Sequence, residues 1–351
     1  MITAWWFNSA SPKGSILQPD FFVPKTHFRI DARLAEADLP MEISIDAYLH
    51  GELAFRKAYS INNVDDLPGF KVRRHETISA ITLKDFADSL AKNPERLDVT
   101  IKTARTTHTS AIDCEYVTVS GRIMDFDGNP FPAMVAFNRD TFEAIEDGLG
   151  TWSDMNGNYT VTVPKGDYNS IIATDNTIWK SSLENWCWKM MLDRDEVHDF
   201  KIGNGEVYSL EAWTDNGGIP NLFVFFRPMV LPALKADNYD VGNSAKNGDY
   251  NVEINGTNFP VMDIAPDLEL RHVTATMNGR SLKNISMQKI FETSSDENPS
   301  MPAYILQTER FAESASIIDK QTLVVEYDTG KFKSQGRTQF FYTNSSGLAL
   351  R

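Results

Sequence analysis

The chain has 351 residues, of which 42% are hydrophobic and 23% are charged, and its formal net charge is −14. This composition is typical of globular proteins, and the length predicts two or three domains with sizeable cores. An acidic surface repels phosphate, which argues against nucleic acid and anionic membranes as partners and favours neutral ligands, cations or protein surfaces.

The sequence predicts neither a membrane span nor a signal peptide. No apolar run approaches the roughly 18 residues that a membrane helix needs. The first 15 residues have neither the basic start nor the apolar stretch of a signal peptide. We therefore predict no membrane partner, and the compartment stays open between the cytoplasm and secretion after removal of a signal.

The dominant pattern is an alternation of apolar and polar residues, which is typical of half-buried strands. Residues 41–49 (MEISIDAYL) put Met41, Ile43, Ile45, Ala47 and Leu49 on one face. The same alternation marks strands at 28–34, 97–102, 158–163 and 321–327, and the run LFVFF at 222–226 is typical of a strand buried on both faces. The pattern predicts an all-β fold of consecutive β-sandwich modules.

One segment of the first module has helical spacing instead. In residues 81–93 (ITLKDFADSLAKN), four apolar positions recur at i, i+3, i+4 and i+7, beginning with Leu83. Thr82 can cap the start, with Asp85 at the capping-box position. We predict one short amphipathic helix here, ending at Asn93-Pro94.

Turns and changes of composition divide the chain into three predicted domains. These are an N-terminal β domain with the short helix (1–113), a middle domain (114–234) and a C-terminal β domain (235–351). Residues 235–251 (KADNYDVGNSAKNGDYN) are poor in apolar side chains and predict a linker or a long surface loop.

Two cysteines, Cys114 and Cys187, are too few and too widely spaced for a disulfide framework. Large cores favour two free thiols, although a pairing of the two stays open.

The middle domain contains a series of turn motifs in a definite order. The stretch 117–130 (VTVSGRIMDFDGNP) runs from a strand into a hairpin turn at Asp127-Gly128, where glycine tolerates a positive φ. It is followed by 133–135 (AMV), 154–159 (DMNGNY) and 163–168 (VPKGDY). These four elements resemble the carboxypeptidase-regulatory-like family. The resemblance implies a small transthyretin-like or prealbumin-like β-sandwich, an accessory or interaction module that brings no catalytic residues.

Metal and cofactor chemistry has little support in the sequence. Intradiol dioxygenases resemble this fold and use two tyrosines and two histidines on a non-haem iron, but the middle domain has a single histidine, His198. The six histidines of the chain form no HxH, HExxH or HxxxH pattern, and neither GxSxG nor GxxxxGK[ST] occurs. We predict no metal, no cofactor and no catalytic residues.

Tryptophans are the main candidate ligand-binding residues. Trp179, Trp186, Trp188 and Trp213 lie close together in the sequence, beside Asp, Asn and Glu residues. Sugars stack on flat aromatic faces, so exposed rings in this setting predict a glycan-binding platform. On a strand, Trp186 and Trp188 share one face with Met190. The alternative is that these rings pack in a core or at a domain interface.

Acidic residues give two weaker candidates. Residues 125–129 (DFDGN) and 154–158 (DMNGN) place oxygen atoms at alternate positions, as calcium loops do, but ordinary turns explain the same spacing. Glu143, Glu146 and Asp147 could supply the two carboxylates of a glycosidase, and a solvated charged loop is the simpler interpretation.

The sequence thus predicts a non-catalytic binding or scaffold protein whose β-sandwich modules recognise carbohydrate or a protein surface. Two alternatives stay open. A carbohydrate-active enzyme, or an accessory subunit of one, would place carboxylates at a domain interface. A structural component of a surface layer, pilus or phage particle would use the β modules for assembly.

Overall fold

The structure is a computed structural model. It describes residues 3–8, 26–63, 66, 70–74, 77–83, 92–138, 149–175, 182–214, 221–230, 241–293, 298–309 and 320–341. Strands account for most of these residues, so the prediction of an all-β protein is confirmed. No helix in this part of the chain is long and apolar enough to cross a membrane.

The N-terminal unit contains two four-stranded sheets. Its strands are β1 (Thr3–Asn8), β2 (Thr26–Ala35), β3 (Met41–Leu49), β4 (Glu52–Ile61), β5 (Phe70–Arg74), β6 (Thr77–Leu83), β7 (Arg96–Thr103) and β8 (Thr107–Asp113). One sheet has the order β1-β2-β6-β5 and the other β4-β3-β7-β8. The alternation predicted for β3 is confirmed, because Met41, Ile43, Ile45 and Ala47 are buried. These side chains form one core with the buried face of β7 and with Ile30 of β2.

The predicted helix does not begin where its pattern begins. Thr82, the expected cap, and Leu83, the first apolar position, are the last two residues of β6. Thr82 pairs with Arg29 on one side and with Phe70 on the other, so pairing with two strands prevails over the local helical pattern. Residues 84–91, which carry most of that pattern, lie outside the described residues.

The middle unit is a two-sheet sandwich. Its strands are β9 (Tyr116–Met124), β10 (Met134–Asn138), β11 (Leu149–Trp152), β12 (Asn158–Pro164), β13 (Gly166–Thr174), β14 (Asn185–Leu192), β15 (Glu196–Val197) and β16 (Phe200–Lys201). The first sheet has the order β12-β9-β15, with β16 also on β9, and the second begins β11-β10-β13-β14. Side chains such as Val119, Val161, Ile171 and Phe200 form the core between them. A β-sandwich therefore lies where the turn motifs predicted one.

Both predicted turn glycines have the expected backbone conformation. Gly128 has a φ of 86° and Gly157 a φ of 78°, values that glycine adopts without strain. A Cβ on Gly157 would also lie 2.1 Å from the carbonyl oxygen of Ile123, whereas one on Gly128 would meet nothing within 4 Å. The turn at Gly157 therefore packs against the sandwich, whereas the turn at Gly128 has space around it for a side chain.

The C-terminal unit is a second sandwich. Its elements are β17 (Gly205–Thr214), β18 (Asn221–Val230), helix α1 (Val241–Asn247), β19 (Tyr250–Ile254), β20 (Thr257–Val261), β21 (Val273–Met277), β22 (Arg280–Ser281), β23 (Asn284–Glu292), β24 (Met301–Glu309), β25 (Lys320–Asp328) and β26 (Lys333–Phe341). One sheet has the order β17-β18-β24-β23, and the facing strands follow β26-β25-β21-β22. Val224, Phe226, Leu306, Leu323 and Val325 are among the side chains of its core.

The strand pairing crosses the boundary predicted after Leu234. β17 and β18, which the sequence assigned to the middle domain, pair with each other and then with β24. Their buried side chains lie in the core of the C-terminal unit, because a strand of a sandwich is buried against the sheet that faces it. We therefore propose a boundary near Asn204. Helix α1 and the start of β19 occupy part of the predicted linker at 235–251.

One continuous sheet joins the middle and C-terminal units. β14 and β26 run parallel and pair at Cys187↔Arg337 and Trp188↔Thr338, which gives the order β11-β10-β13-β14-β26-β25-β21-β22. Cys187 is buried in the middle core and Cys114 packs against the N-terminal core. Both thiols are free, as predicted.

Candidate functional site

Trp186 and Trp188 lie at the junction between the middle and C-terminal units. Their rings stack with centroids 4.7 Å apart and planes 6° apart. Tyr208 of β17 stands edge-on to both rings, with its centroid 5.3 and 5.4 Å away. We name these three residues the junction cluster. Trp186 is only 3% exposed, so its ring packs at an interface and is not accessible to a sugar, whereas Trp188 is half-buried.

The expectation that Met190 shares the face of the two tryptophans is wrong. Met190 belongs to the middle core, on the same side as Cys187. Lys189, between Trp188 and Met190, has a φ of 53°, and this left-handed residue interrupts the alternation of the strand. Its Nζ atom lies 2.7 Å from Oε1 of Glu211 on β17. Lys189 therefore turns β14 and also reaches across to the C-terminal unit.

A charged pair borders the junction cluster. Arg227 of β18 lies with its guanidinium carbon 5.1 Å from the centroid of the Tyr208 ring, a cation–π contact. Its Nε atom donates to Oε2 of Glu292 over 2.7 Å. Burial is the main cause that raises the pKa of Tyr208 to about 12, so its hydroxyl remains protonated at neutral pH.

Two buried glutamates lie beside the same cluster. Glu184 precedes β14 and is 8% exposed, and Glu206 of β17 is 3% exposed. Burial, followed by the charge of Glu184 and a hydrogen bond to it, raises the pKa of Glu206 well above its ordinary value. Burial and the neighbouring carboxyl of Glu184 therefore favour the neutral form of Glu206 at this junction.

Trp213 lies apart from the junction cluster, on the outer face of the β17-β18-β24-β23 sheet. It is 42% exposed and stacks on Phe223, with centroids 5.8 Å apart and planes 18° apart. The register continues the row from Phe223 to Gln307 of β24 and Ser286 of β23. The Ser286 hydroxyl donates to Oε1 of Gln307 over 3.0 Å. We name this surface, with Phe225 in the next row, the aromatic face.

The aromatic face corrects the interpretation of residues 222–226 as a strand buried on both sides. Leu222, Val224 and Phe226 are buried in the core, but Phe223 and Phe225 are half-buried on the outer side. The alternation is complete along β18, and five apolar residues in a row concealed it because both faces carry apolar side chains. The sequence pattern therefore did not identify Phe223 and Phe225 as surface residues.

Several candidates from the sequence are not brought into these sites. Trp179, Glu143, Glu146 and Asp147 lie outside the described residues. Tyr208 and Trp213 are five residues apart on β17, a span of roughly 16 Å, so the tryptophans do not form one platform.

In the two acidic turns, the first aspartate binds main-chain N–H groups of its own turn. Oδ1 of Asp125 and Oδ1 of Asp154 each accept the backbone N–H groups two and four residues later, at 2.8–2.9 Å. Hydrogen bonds from Asn129 and Asn158, respectively, are the main causes that lower the pKa of these carboxyls. No group of three or more His, Cys, Asp or Glu side chains within the described ranges is placed to hold a metal ion.

A cleft of about 460 Å³ opens where β14 and β26 separate beyond their paired residues. Met190, Phe340 and Phe341 contribute to its largely apolar lining. Beside it, Oε1 of Gln339 accepts the N–H of Met191 at 2.6 Å, and Nζ of Lys320 donates to the Met191 carbonyl at 2.6 Å. Side chains of the C-terminal unit thus replace a neighbouring strand along this part of β14.

Comparisons with known proteins identify no family. No protein-family model and no curated protein matches the chain, so the carboxypeptidase-regulatory-like resemblance remains a prediction from its motifs. Among solved structures, a candidate carbohydrate-binding protein from Bacteroides uniformis aligns at 10% identity and a TM-score of 0.22, over 64% of this chain and 99% of that one. The major pilin subunit BcpA of Bacillus cereus aligns at 10% identity and a TM-score of 0.18, over 57% and 70%. The major pilin SpaD of Corynebacterium diphtheriae aligns at 6% identity and a TM-score of 0.18, over 64% of this chain and 64% of that one. Likenesses this weak carry no argument about function.

Proposed function

We propose that the chain is a non-catalytic binding protein that recognises a neutral carbohydrate on its aromatic face. The observation that carries this proposal is the exposed Trp213 ring, stacked on Phe223 and followed in the same row by Gln307 and Ser286. Flat rings accept the apolar faces of sugars, and amide and hydroxyl groups beside them bind sugar hydroxyls. The net charge of −14 favours a neutral ligand over an anionic one.

The enzyme alternative gains no support from the buried glutamates. Glu184 and Glu206 share a hydrogen bond, whereas the carboxyls of glycosidases stand about 5–9.5 Å apart on either side of the scissile bond. Both glutamates are also buried, which leaves no room for a sugar between them.

The binding proposal is tested with a glycan array, followed by titration of each positive glycan with tryptophan fluorescence as the readout. We expect weak affinity, roughly millimolar to micromolar. Trp213→Ala should abolish binding while the thermal unfolding profile stays close to that of the wild type. Tyr250→Ala, which truncates an aromatic ring with 36% exposure on the β19-β20 hairpin, is the matched control and should bind normally. Full binding by Trp213→Ala, or no positive glycan, would contradict the proposal.

A second candidate is a structural scaffold. The observation that favours it is the sheet that continues from the middle unit into the C-terminal unit through β14 and β26. A shared sheet makes a stiffer connection than a flexible linker, which suits a component of a surface or phage assembly. Concentration-dependent light scattering tests it, and a chain that stays monomeric at high concentration would count against assembly from this chain alone.

A further inference from the structure

His198 is a buried histidine whose imidazole is hydrogen-bonded on both sides. Its Nε2 atom lies 2.8 Å from Oε2 of Glu196, and its Nδ1 atom contacts Nη1 of Arg337 on β26. A guanidinium only donates hydrogen bonds, so Nδ1 must present a lone pair and the ring proton must lie on Nε2. The arrangement therefore requires a neutral imidazole.

The main chain fixes the position of this ring. The His198 N–H donates to the Ser120 carbonyl over 2.8 Å, and the His198 carbonyl accepts the Tyr159 hydroxyl over 2.7 Å. The His198 side chain is only 4% exposed. The imidazole is thus held inside the middle unit and presented to the C-terminal unit.

Arg337 depends on the neutral imidazole. Its Nε atom is buried and has no hydrogen-bond partner within the described part of the chain. Nη2 makes one long contact, 3.5 Å, to the Asp199 carbonyl. Arg337 also lies in register with Cys187, at the step where the two units share a sheet. The guanidinium at this junction is therefore held mainly by Nδ1 of His198, an atom that can no longer accept a hydrogen bond once it is protonated.

The other titratable groups around His198 do not compensate for that loss. Glu196 already binds Nζ of Lys320 at 2.5 Å, and the Oδ1 atom of Asp199 accepts a main-chain N–H from β9. Burial raises the pKa of Tyr159 and that of Cys187, so both stay neutral from pH 5 to 8. None of these groups can supply Arg337 with a new acceptor without breaking an existing contact.

We propose that His198 is an acid-sensitive latch between the middle and C-terminal units: a second proton on its ring breaks the bond to Arg337 and loosens the pairing of β14 with β26. The proton comes from solvent and binds Nδ1. An N–H group then faces a guanidinium, so two donors and two positive charges meet. Glu196 keeps its bond to Nε2, and Arg337 is the group that moves.

The direction of the pH effect follows from linkage. Burial first, and then the charge of Arg337, lower the pKa of His198 from its ordinary 6.5. Opening the junction exposes the ring and returns its pKa toward that ordinary value. Opening therefore takes up a proton, so the closed junction is favoured fully above about pH 6.5 and less as the pH falls toward the lowered pKa.

Hydrogen exchange of the full chain from pH 7.5 to 5.0, read by mass spectrometry and corrected for intrinsic exchange rates, tests the latch. In peptides covering Asn185–Leu192 and Lys333–Phe341, protection should fall by up to about tenfold per pH unit below pH 6.5. His198→Asn should give a flat profile, because its amide oxygen accepts from Arg337 at every pH. His50→Asn, at an exposed histidine of the N-terminal unit, should keep the wild-type profile.

Arg337→Met is the second variant, because without the guanidinium a protonated Nδ1 of His198 no longer faces a second donor. It should weaken the acid response without abolishing it, because burial of the ring, the main cause of its lowered pKa, remains. Histidine NMR of the wild type should show the ring of His198 titrating below pH 6.5, and the loss of protection should level off near the midpoint of that titration. Constant protection in the wild type, or equal acid responses in the wild type and either variant, would overturn the proposal.

Discussion

The junction cluster and the aromatic face each include one aromatic residue of β17, Tyr208 and Trp213 respectively, but they differ in how their rings are packed. At the junction, Trp186 and Tyr208 pack against each other and are accompanied by buried carboxyl groups, Glu206 among them. On the aromatic face, Trp213 stacks on Phe223 and is 42% exposed. Aromatic density alone therefore does not identify a ligand site, and the packing of each ring does.

The largest expected effect is a difference in stability between two tryptophan variants, one in each region. Trp186→Ala removes a buried indole from the junction and should lower the free energy of unfolding by about 3–5 kcal/mol. Trp213→Ala removes a half-exposed ring and should lower it by about 1 kcal/mol or less. Urea unfolding of both variants measures the difference. Equal losses would mean that Trp213 is covered in solution, which would end its proposed role in sugar binding.

The next effect concerns the buried acid at the junction. The raised pKa of Glu206 means that its contribution to stability is complete below about pH 4.5 and is lost as the pH rises through the raised value. Each unit of pKa difference corresponds to about 1.4 kcal/mol. The wild type should therefore lose stability as the pH rises above about 4.5, and Glu206→Gln, which stays neutral, should lose less.

Urea unfolding at several pH values checks this difference, with Glu211→Gln as the control, since Glu211 is an exposed glutamate on the same strand. The control should follow the wild-type profile. Parallel pH profiles for Glu206→Gln and the wild type would contradict a raised pKa of Glu206 in the folded protein.

Much of the fold could be predicted because its signals are local. The alternation of β3 places Ile43 and Ile45 in the core. The turns at Gly128 and Gly157 follow from the backbone freedom of glycine. The free state of both cysteines agrees with the prediction that large cores favour buried thiols.

The junction could not be predicted because its contacts are far apart in the sequence. Arg337 pairs with Cys187 and contacts His198, and neither position carries a motif. β17 and β18 belong to the C-terminal sandwich because β18 pairs with β24, and no turn motif in the sequence predicts that pairing. The predicted helix start at Thr82 failed for the same reason, since its strand partners are distant.

The smallest effect tests the residue that connects the two regions. Lys189 interrupts β14 beside Trp188, and its side chain reaches Glu211, which pairs with Phe225 of the aromatic face. A non-glycine residue at its φ of 53° costs on the order of 1 kcal/mol, whereas both partners of the ion pair are about half exposed and their pair is worth little. Lys189→Gly should therefore be more stable than Lys189→Ala by about 1 kcal/mol.

Urea unfolding of both variants measures this difference, and Glu211→Gln, within about 0.5 kcal/mol of the wild type, isolates the ion pair. The two substitutions remove the same charge, so only the backbone distinguishes them. If Lys189→Ala proved as stable as Lys189→Gly, β14 would not turn at this residue. Met190 would then return to the face of the tryptophans, and the contrast between a closed junction and an open aromatic face would lose its structural basis.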